Sequence, residues 1–229
     1  MKKSKWLQSA ILARYSGILH GFSTSLIGDA SSAEQSVLLS CSLGVKKNQL
    51  QLMSQQHGCD IKIINDVERP LPRVDALITN VRGVALGVRT ADCVPILIYD
   101  PQNRVIAAVH AGWRGGAEHV AGKTVDLMKH SFNTKAPDCI VAIGPAIGEC
   151  CFEVGQEVID KFPSSSVAGG THLDLPAAIV TELTDTGIKR DNIDWLNICT
   201  SCEKGLCFSH RRDKGMTGRH LAMIMMCDI

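Results

Sequence analysis

The stretch of residues 90–115 constrains the fold of this chain more than any other segment. Two runs rich in apolar and β-branched residues, at 94–99 and 104–109, flank the tetrapeptide Asp-Pro-Gln-Asn at 100–103. All four of these residues favour turns, and proline has the fixed φ that a type I turn requires at its second position. The pattern therefore predicts a β-hairpin, two antiparallel strands joined by a tight turn.

The hairpin is predicted to bring a cysteine opposite a histidine. If the turn is centred between Pro101 and Gln102, Cys93 pairs with His110, and loops of two or four residues give the same register. Directly opposed Cβ atoms in a sheet lie roughly 4.5–5.5 Å apart. A thiolate and an imidazole at that distance suit Zn²⁺, which in catalytic sites takes three protein ligands and keeps a fourth position open. The hairpin thus predicts a metal site that needs one further ligand.

His57 is the best candidate for the missing ligand. Asn48 is a good helix N-cap, and the apolar residues after it predict a short amphipathic helix over 49–57 that ends at Gly58. His57 would then lie at the helix terminus and face the next strand. A single histidine is more often structural, and a single buried cysteine packs as a small hydrophobe. The pairing within the hairpin favours the metal interpretation, with zinc as the predicted ion and copper as the alternative.

Strand and helix signals alternate along the chain. Apolar, β-branched runs outside the hairpin predict strands over 18–24, 60–65, 76–79, 84–88, 139–143, 193–197 and 221–226. Helical patterns are found over 33–43, 49–57, 116–130, 151–162 and 175–185, the last with Asp174 as its N-cap. Because hairpins mix with helical crossovers, we expect an α+β fold with mixed sheets and outer helices rather than a doubly wound parallel sheet. The linker-like segment 163–170 is interpreted as a surface loop, so residues 1–229 are predicted to form a single domain.

Composition narrows the classes of protein to consider. A chain of 229 residues with 45% hydrophobic residues buries a full core, and a net charge of +1 argues against nucleic acid as a partner. Lys2, Lys3 and Lys5 precede a short apolar run, but Arg14 interrupts it and no convincing cleavage site follows, so we expect no export. No apolar run is long enough to span a bilayer, and no membrane partner is expected. The ten cysteines are therefore interpreted as reduced thiols, and the predicted location is cytoplasmic.

Arg114 is a candidate anion-binding residue. It follows the second hairpin strand in His-Ala-Gly-Trp-Arg-Gly and precedes the helix predicted at 116–130, where free backbone N–H groups favour a phosphate. The alternative is a solvent-facing arginine in a tight strand-to-helix connection. Trp113 beside it is interpreted either as a stacking partner for a base or as packing. Asp92 is assigned a structural hydrogen bond in preference to a role in orienting a ligand.

Two further regions contain candidate functional groups. In the glycine-rich segment 144–154, Glu149 and Glu153 are candidates for proton transfer, while Cys150 and Cys151 are interpreted as packing because adjacent residues do not easily face one metal. A second set of residues has ligand-like spacing and forms a rival hypothesis, a structural zinc site of Cys199, Cys202, Cys207 and His210. The basic residues near it are predicted either to hold a loop through ion pairs or to clamp a phosphate, namely Arg211, Arg212 and Arg219.

Several of these motifs together resemble the YfiH family, also called laccase-domain or polyphenol oxidase proteins and purine nucleoside phosphorylases with adenosine deaminase activity. They are QQHG, RTADCVPIL, VHAGWRG, IGPAIGECCFEVGQEV and SHRRDKGMTGRHLAMI, in order from about residue 55 to the C-terminus. The resemblance implies a layered α/β/β/α arrangement and an active-site metal, usually zinc, on His57, Cys93 and His110. One departure is the Phe-Ser-Thr-Ser stretch at 22–25, which lacks the family's arginine and leads into a shortened loop, implying an altered substrate range or a loss of activity.

The leading functional hypothesis combines the metal site with the anion site. The resemblance implies phosphorolysis of adenosine, inosine or guanosine to base and ribose 1-phosphate, with deamination of adenosine as a second activity. The expected small-molecule partners are thus a nucleoside and phosphate, with His57, Cys93 and His110 as catalytic metal ligands and Arg114 on the phosphate. Three alternatives stay open: a peptidoglycan-precursor editing amidase, a copper-dependent polyphenol oxidase and a non-enzymatic metal-binding protein. The oxidase is less favoured, because laccase chemistry uses many paired histidines and the chain has 8 His. Nothing in the sequence indicates an oligomeric state.

Overall fold

Two β-sheets lie face to face at the centre of the computed structural model, which describes residues 5–227. Lys2 and Lys3, part of the stretch considered as an export signal, lie outside the described residues. The strands are β1 (Trp6–Leu7), β2 (Ile18–Ser23), β3 (Leu50–Leu52), β4 (Ile61–Ile63), β5 (Ala76–Thr79), β6 (Ala85–Thr90), β7 (Val94–Asp100), β8 (Val105–Ala111), β9 (Ile140–Ile143), β10 (Val167–Ala168), β11 (His172–Leu173), β12 (Ile193–Trp195) and β13 (His220–Met226). The α-helices are α1 (Ala33–Ser42), α2 (Trp113–Ala117), α3 (Val120–Phe132), α4 (Gln156–Ile159) and α5 (Leu175–Asp185).

Both large sheets are mixed, as predicted. The five-stranded sheet has the order β1-β2-β13-β6-β3, and the six-stranded sheet has the order β12-β9-β7-β8-β5-β4. Parallel pairs occur where a crossover joins the strands, at β3 with β6, β4 with β5 and β12 with β9. The other pairs in these sheets are antiparallel. The short pair β10-β11 forms a separate antiparallel ribbon.

The layered α/β/β/α arrangement is confirmed by the packing of the core. Residues such as Phe22 and Ile224 of the five-stranded sheet pack against Leu97 and Ile106 of the six-stranded sheet in the central layer. The outer face of the six-stranded sheet packs under α2, α3 and α5, and α1 covers the other sheet. Strands covered on both faces need apolar residues at nearly every position, which explains the unbroken apolar runs of β7 and β8. No helix within residues 5–227 is long and apolar enough to cross a membrane.

The predicted hairpin exists, but its predicted register is wrong by two residues. The structure pairs Asp100 with Val105 and Pro95 with His110, so Cys93 lies beyond the last pair instead of opposite His110. The loop occupies positions 101–104, because Asp100 stays in the strand and its Oδ1 accepts hydrogen bonds from the next turn's backbone N–H groups. A shift of two residues preserves the face on which each side chain lies, whereas a shift of one reverses it. Cys93 and His110 therefore still approach each other, along a diagonal.

The predicted helices had mixed outcomes. The helices expected over 33–43 and 175–185 are confirmed as α1 and α5, and Asp174 caps α5 by accepting a hydrogen bond from the backbone of Ala177. The helix expected over 116–130 is divided into α2 and α3 at His119, whose φ is +59°.

Two other helix predictions were largely wrong. The helix expected over 49–57 is absent, because Leu50–Leu52 pair with β6 as a fully buried strand, and sheet pairing outweighs the helical pattern. Of the helix expected over 151–162, only Gln156–Ile159 is α-helical, and the residues before it form a turn and an extended segment.

Candidate metal centre and cavity

The three predicted ligands come together from three separate segments. His57 lies in the loop after β3, Cys93 in the turn between β6 and β7, and His110 on β8. One ligand atom from each lies within 4.8 Å of the other two. The two imidazole rings are nearly perpendicular, at 88°, with centroids 4.8 Å apart. The structure thus juxtaposes the residues in spite of the wrong register and the missing helix.

Asp75, which the sequence analysis did not identify, holds two of these ligands in place. It is fully buried just before β5, and its Oδ1 accepts hydrogen bonds from the His57 backbone N at 2.9 Å and from His110 Nδ1 at 2.8 Å. Its Oδ2 accepts from the backbone N of Gln56 at 3.1 Å and of Gly58 at 2.8 Å. Because Nδ1 of His110 is engaged, Nε2 is the ring nitrogen left to face a metal. A lone aspartate ahead of an apolar strand offered no distinctive sequence signal.

The carboxylate also fixes an unusual backbone conformation. His57 has φ +60°, in the left-handed region that non-glycine residues seldom occupy. Three consecutive N–H groups, from Gln56 to Gly58, converge on Asp75 and compensate for this conformation. Burial by itself raises the pKa of Asp75, but the hydrogen bonds from His110 and from this loop lower it below its usual value. The group therefore remains ionised at neutral pH.

The Cys93 thiol and the buried His110 imidazole each favour the charged form of the other. Burial opposes ionisation of Cys93, yet the charge and hydrogen bond of His110, with a smaller contribution from His57, lower its pKa to about 6. Burial likewise disfavours the imidazolium, but the Cys93 thiolate and Asp75 outweigh it and raise the pKa of His110. A preformed thiolate is the state that binds metals. Two imidazoles and a thiolate suit Zn²⁺ or a copper ion, so the donor set fits the predicted metal.

Two glycines explain how the three segments approach so closely. A Cβ atom at Gly112 would lie 3.3 Å from Cys93 Sγ and 3.3 Å from His57 Cδ2. A Cβ atom at Gly115 would lie 2.6 Å from the carbonyl oxygen of Gly58, well inside van der Waals contact. The glycines of the His-Ala-Gly-Trp-Arg-Gly motif therefore make room for the ligand loop, in addition to allowing the chain to turn.

The ligands open into a cavity of about 500 Å³. That volume is within the range of pockets for small molecules and cofactors. Apolar side chains form one part of its wall, namely Trp113, Ile147, Phe152 and Leu175. Four arginines also line it, namely Arg89, Arg114, Arg211 and Arg219. The cavity therefore offers an apolar surface and a concentration of positive charge beside the candidate metal ligands.

Arg114 lies in this wall, but not at the start of a long helix. It is the second residue of the five-residue helix α2, and its guanidinium carbon lies 4.3 Å above the ring of Trp113. Any anion affinity must therefore come mainly from arginine side chains. Arg211 lines the cavity and lies 5.4 Å from the ring centre of Phe152. Arg212 instead pairs with Asp213 at 2.7 Å and binds loop carbonyls, in agreement with the loop-holding interpretation.

The structure also places the other polar groups that the sequence suggested. Asp92 accepts hydrogen bonds from Thr200 Oγ1 and from the backbone N of Arg211, each at 2.6 Å, as a structural role requires. Glu149 and Glu153 do not belong to the cavity wall, so the structure gives no support to proton transfer by either. His210 does line the cavity.

The four-residue rival zinc site is not assembled as predicted. Cys199 and Cys202 lie together, but the thiols near them belong to Cys150 and Cys151, while Cys207 and His210 are not part of the group. The reason is that the glycine-rich segment forms a turn beside the Cys199 loop, with Ala146 paired to Cys199 as an isolated bridge. The premise that adjacent cysteines do not easily face one centre is wrong here, because the Cys150 and Cys151 thiols approach Cys202 within 3.6 Å and 3.5 Å. The assignment of these two cysteines to packing stays a prediction.

Comparisons with known proteins establish the family of this chain. The family model for multi-copper polyphenol oxidoreductase laccase matches residues 26–227, so the chain belongs to that family. A purine nucleoside phosphorylase of Clostridium acetobutylicum is 39% identical over 180 residues, covering 76% of this chain and 75% of that protein. The adenosine deaminase RL5 of an unknown prokaryotic organism is 35% identical over 194 residues, covering 76% and 74%. The resemblance found in the sequence is thereby confirmed, and the names of these relatives support an enzyme.

A solved structure extends the likeness to the whole chain. The crystal structure of YlmD from Geobacillus stearothermophilus superposes with a TM-score of 0.88 and 31% sequence identity. The match covers 100% of this chain and 98% of that one. The mixed sheets and outer helices therefore belong to an architecture that has been observed experimentally.

Proposed function

We propose that this protein is a zinc-dependent purine nucleoside phosphorylase that also deaminates adenosine. The observation that carries this proposal is the cavity of about 500 Å³ in which a His-Cys-His ligand set adjoins four arginines. A nucleoside and a phosphate together require an apolar surface for the base and cationic groups for the anion. Relatives with the names purine nucleoside phosphorylase and adenosine deaminase support both reactions.

The arginines supply the phosphate site in this scheme. Guanidinium groups bind phosphate oxygens through charge-assisted, often bidentate hydrogen bonds. Arg114 rests against Trp113, which limits the orientations that its side chain adopts. Arg211 is also restrained, because its Nη1 donates to the carbonyl of Glu153 at 2.8 Å. We assign Arg114 to hold phosphate for attack on the ribose carbon, with Arg211 contributing further positive charge to the cavity wall.

The ligand set explains how water reacts in the second activity. A zinc ion held by His57, Cys93 and His110 would lower the pKa of a bound water to near neutrality and so supply hydroxide for deamination. Asp75 would hold two of these ligands in position for the ion, because it orients His110 and fixes the backbone at His57. Trp113 and Phe152 offer apolar surface on which a purine packs.

The substrate assay tests this activity directly. Zinc-loaded protein is incubated with adenosine, inosine or guanosine, with and without phosphate, and free base, ribose 1-phosphate and inosine are measured separately. We expect free base only when phosphate is present, and inosine from adenosine in both conditions. If none of the three nucleosides were consumed, the assignment would be refuted. Phenol oxidation by copper-loaded protein, or amide cleavage in a peptidoglycan precursor, would then identify the corresponding alternative, and metal binding without turnover would identify a metal-binding protein.

Replacing Arg114 separates the two activities. Phosphorolysis requires the anion and deamination requires only water, so Arg114→Ala should reduce the first far more, by roughly the 10–100-fold expected from a charge-assisted bond of about 1.5–3 kcal/mol. Arg82→Ala is the matched control, since Arg82 is exposed and lies outside the cavity wall. Equal loss of both products in the Arg114 variant would place the phosphate elsewhere.

Replacing Cys93 tests the metal ligands. Cys93→Ala should remove the zinc bound at this site without unfolding the chain, because the hairpin is held by the apolar core on both of its faces. Metal analysis after gel filtration, together with circular dichroism, measures both properties. Full zinc occupancy of this site in the folded variant would contradict the ligand assignment.

A further inference from the structure

A second group of four thiols lies at the surface beside the cavity wall. The Sγ atoms of Cys150, Cys151, Cys199 and Cys202 all lie within 4.8 Å of one another. Cys202 is 3.6 Å from Cys150 and 3.5 Å from Cys151, measured between sulfur atoms. All four cysteines are free, and Cys150 and Cys202 are exposed. The four converge from two loops that are about fifty residues apart in the sequence.

The sulfur separations match a tetrahedral metal site better than a disulfide. Zinc–sulfur bonds of about 2.3 Å in a regular tetrahedron place neighbouring sulfur atoms about 3.8 Å apart. A disulfide requires roughly 2.05 Å and joins only two of the four sulfurs. The two sulfur–sulfur distances from Cys202 are therefore close to the edge length of this tetrahedron. Four thiolates in this geometry are typical of zinc or an iron–sulfur centre.

The backbone holds both loops in position for such a site. The backbone N of Thr200 donates to the carbonyl of Ala146 at 3.0 Å, which ties the two loops together. Gly148 donates its N–H to Cys199 Sγ at 3.3 Å, the kind of hydrogen bond that stabilises a metal-bound thiolate. The turn at Gly148 also closes through the N–H of Cys151, and this curvature directs both vicinal thiols toward Cys202.

We propose that Cys150, Cys151, Cys199 and Cys202 bind one zinc ion in a structural site, distinct from the His57, Cys93 and His110 centre. The ion would join two loops that support the cavity wall. Ile147 and Phe152 flank the vicinal cysteines and line the cavity. Arg211, also in the wall, donates to the carbonyls of Cys151 and Glu153. A zinc ion in the four-thiol site would therefore help to fix Ile147, Phe152 and Arg211 in the wall.

Metal content of matched variants tests this site. Protein purified with zinc should contain about two zinc ions per chain, one for each ligand set. Both the Cys150→Ser/Cys202→Ser double variant and Cys93→Ala should retain about one, and the triple variant should retain none. Cys41→Ser is the control, because Cys41 is a partly exposed thiol on α1 outside both groups, and it should retain about two. Unchanged zinc content in the double variant would overturn the site, whatever the outcome at Cys93.

Cobalt substitution distinguishes the two donor sets by their absorption spectra. A four-thiolate Co²⁺ site absorbs more strongly in the sulfur-to-metal charge-transfer region than a site with one thiolate. The Cys93→Ala protein loaded with Co²⁺ should keep this intense band, and adding the double substitution should abolish it. A spectrum with no thiolate charge-transfer band in the Cys93→Ala protein would also overturn the site.

Thiol protection provides a measurement on the unaltered protein. With zinc bound, Cys150 and Cys202 should resist alkylation in spite of their exposure, and a chelator should make both reactive, as read by peptide mass spectrometry. Cys41 should react equally in both conditions. Rapid alkylation of Cys150 and Cys202 in the zinc-loaded protein, or a disulfide joining any two of the four cysteines in protein kept under reductant, would refute metal binding here.

Discussion

Replacing Asp75 by asparagine should loosen the ligand loop in a way that the structure makes quantitative. Each carboxylate oxygen accepts two hydrogen bonds, Oδ1 from His57 and His110 and Oδ2 from Gln56 and Gly58. An amide nitrogen accepts none, so either orientation of the new side chain loses two of the four. At roughly 1.5–3 kcal/mol for each charge-assisted bond, Asp75→Asn should destabilise the metal-free protein by about 3–6 kcal/mol.

The measurement separates this loss from metal binding. Urea unfolding of the wild type and of Asp75→Asn in the presence of a chelator measures the free energy of unfolding without metal. Competition with a zinc indicator measures the zinc affinity of the ligand set, which should fall by roughly 10–100-fold. Asp66→Asn is the matched control, since Asp66 is exposed and accepts only from the next backbone N–H. If Asp75→Asn unfolded at the wild-type urea concentration with unchanged zinc affinity, the carboxylate would not be what holds the loop.

Two further predictions concern packing and pH. Gly112→Ala would place a methyl group 3.3 Å from Cys93 Sγ. It should weaken zinc binding by roughly 10–100-fold in a competition titration, with little change in melting temperature. Unaltered zinc affinity would show that the ligand loop moves aside without cost. Burial raises the pKa of Glu182 to about 7, so the stability that this carboxyl contributes is present below its unfolded value of 4.5 and is lost as pH rises through about 7. Between pH 4.5 and about 7, Glu182→Gln should remove up to roughly 3 kcal/mol of the pH-dependent change in the free energy of unfolding, measured with urea. The control Glu157→Gln, at an exposed position, should retain that change. A wild-type pH profile in the Glu182 variant would contradict the assignment.

Local sequence signals predicted the elements whose own residues dominate their conformation. The strands at 76–79 and 221–226 are apolar and β-branched or long-chained, and both are found as β5 and within β13. For α5, three local signals agree: Asp174 is an N-cap, a proline lies in the first turn, and the apolar residues recur with helical periodicity. The helix has the predicted bounds. Where local preference and tertiary packing favour the same state, the sequence is sufficient for the prediction.

The failures have two causes, contacts with distant segments and hydrogen bonds inside a turn. Residues 49–57 have a helical pattern, yet the adjacent edge of β6 binds Leu50–Leu52 as a strand because its backbone groups need partners. The hairpin register depended on how Asp100 bonds its loop, which the turn composition alone does not specify. The approach of both vicinal thiols to Cys202 was not predicted, because their turn is formed against the distant Cys199 loop.

The sequence by itself determined the mixed sheets with outer helices, the shared face of the hairpin cysteine and histidine, and the identity of the three candidate metal ligands. Period-two alternation specifies a face without specifying a partner, so that part of the prediction survived the register error. Only the tertiary structure brought Asp75 under the ligands, gathered four arginines in one wall and joined four thiols from two loops. These contacts connect residues far apart in the chain, and their stabilisation arises from burial and charge, which no local pattern contains.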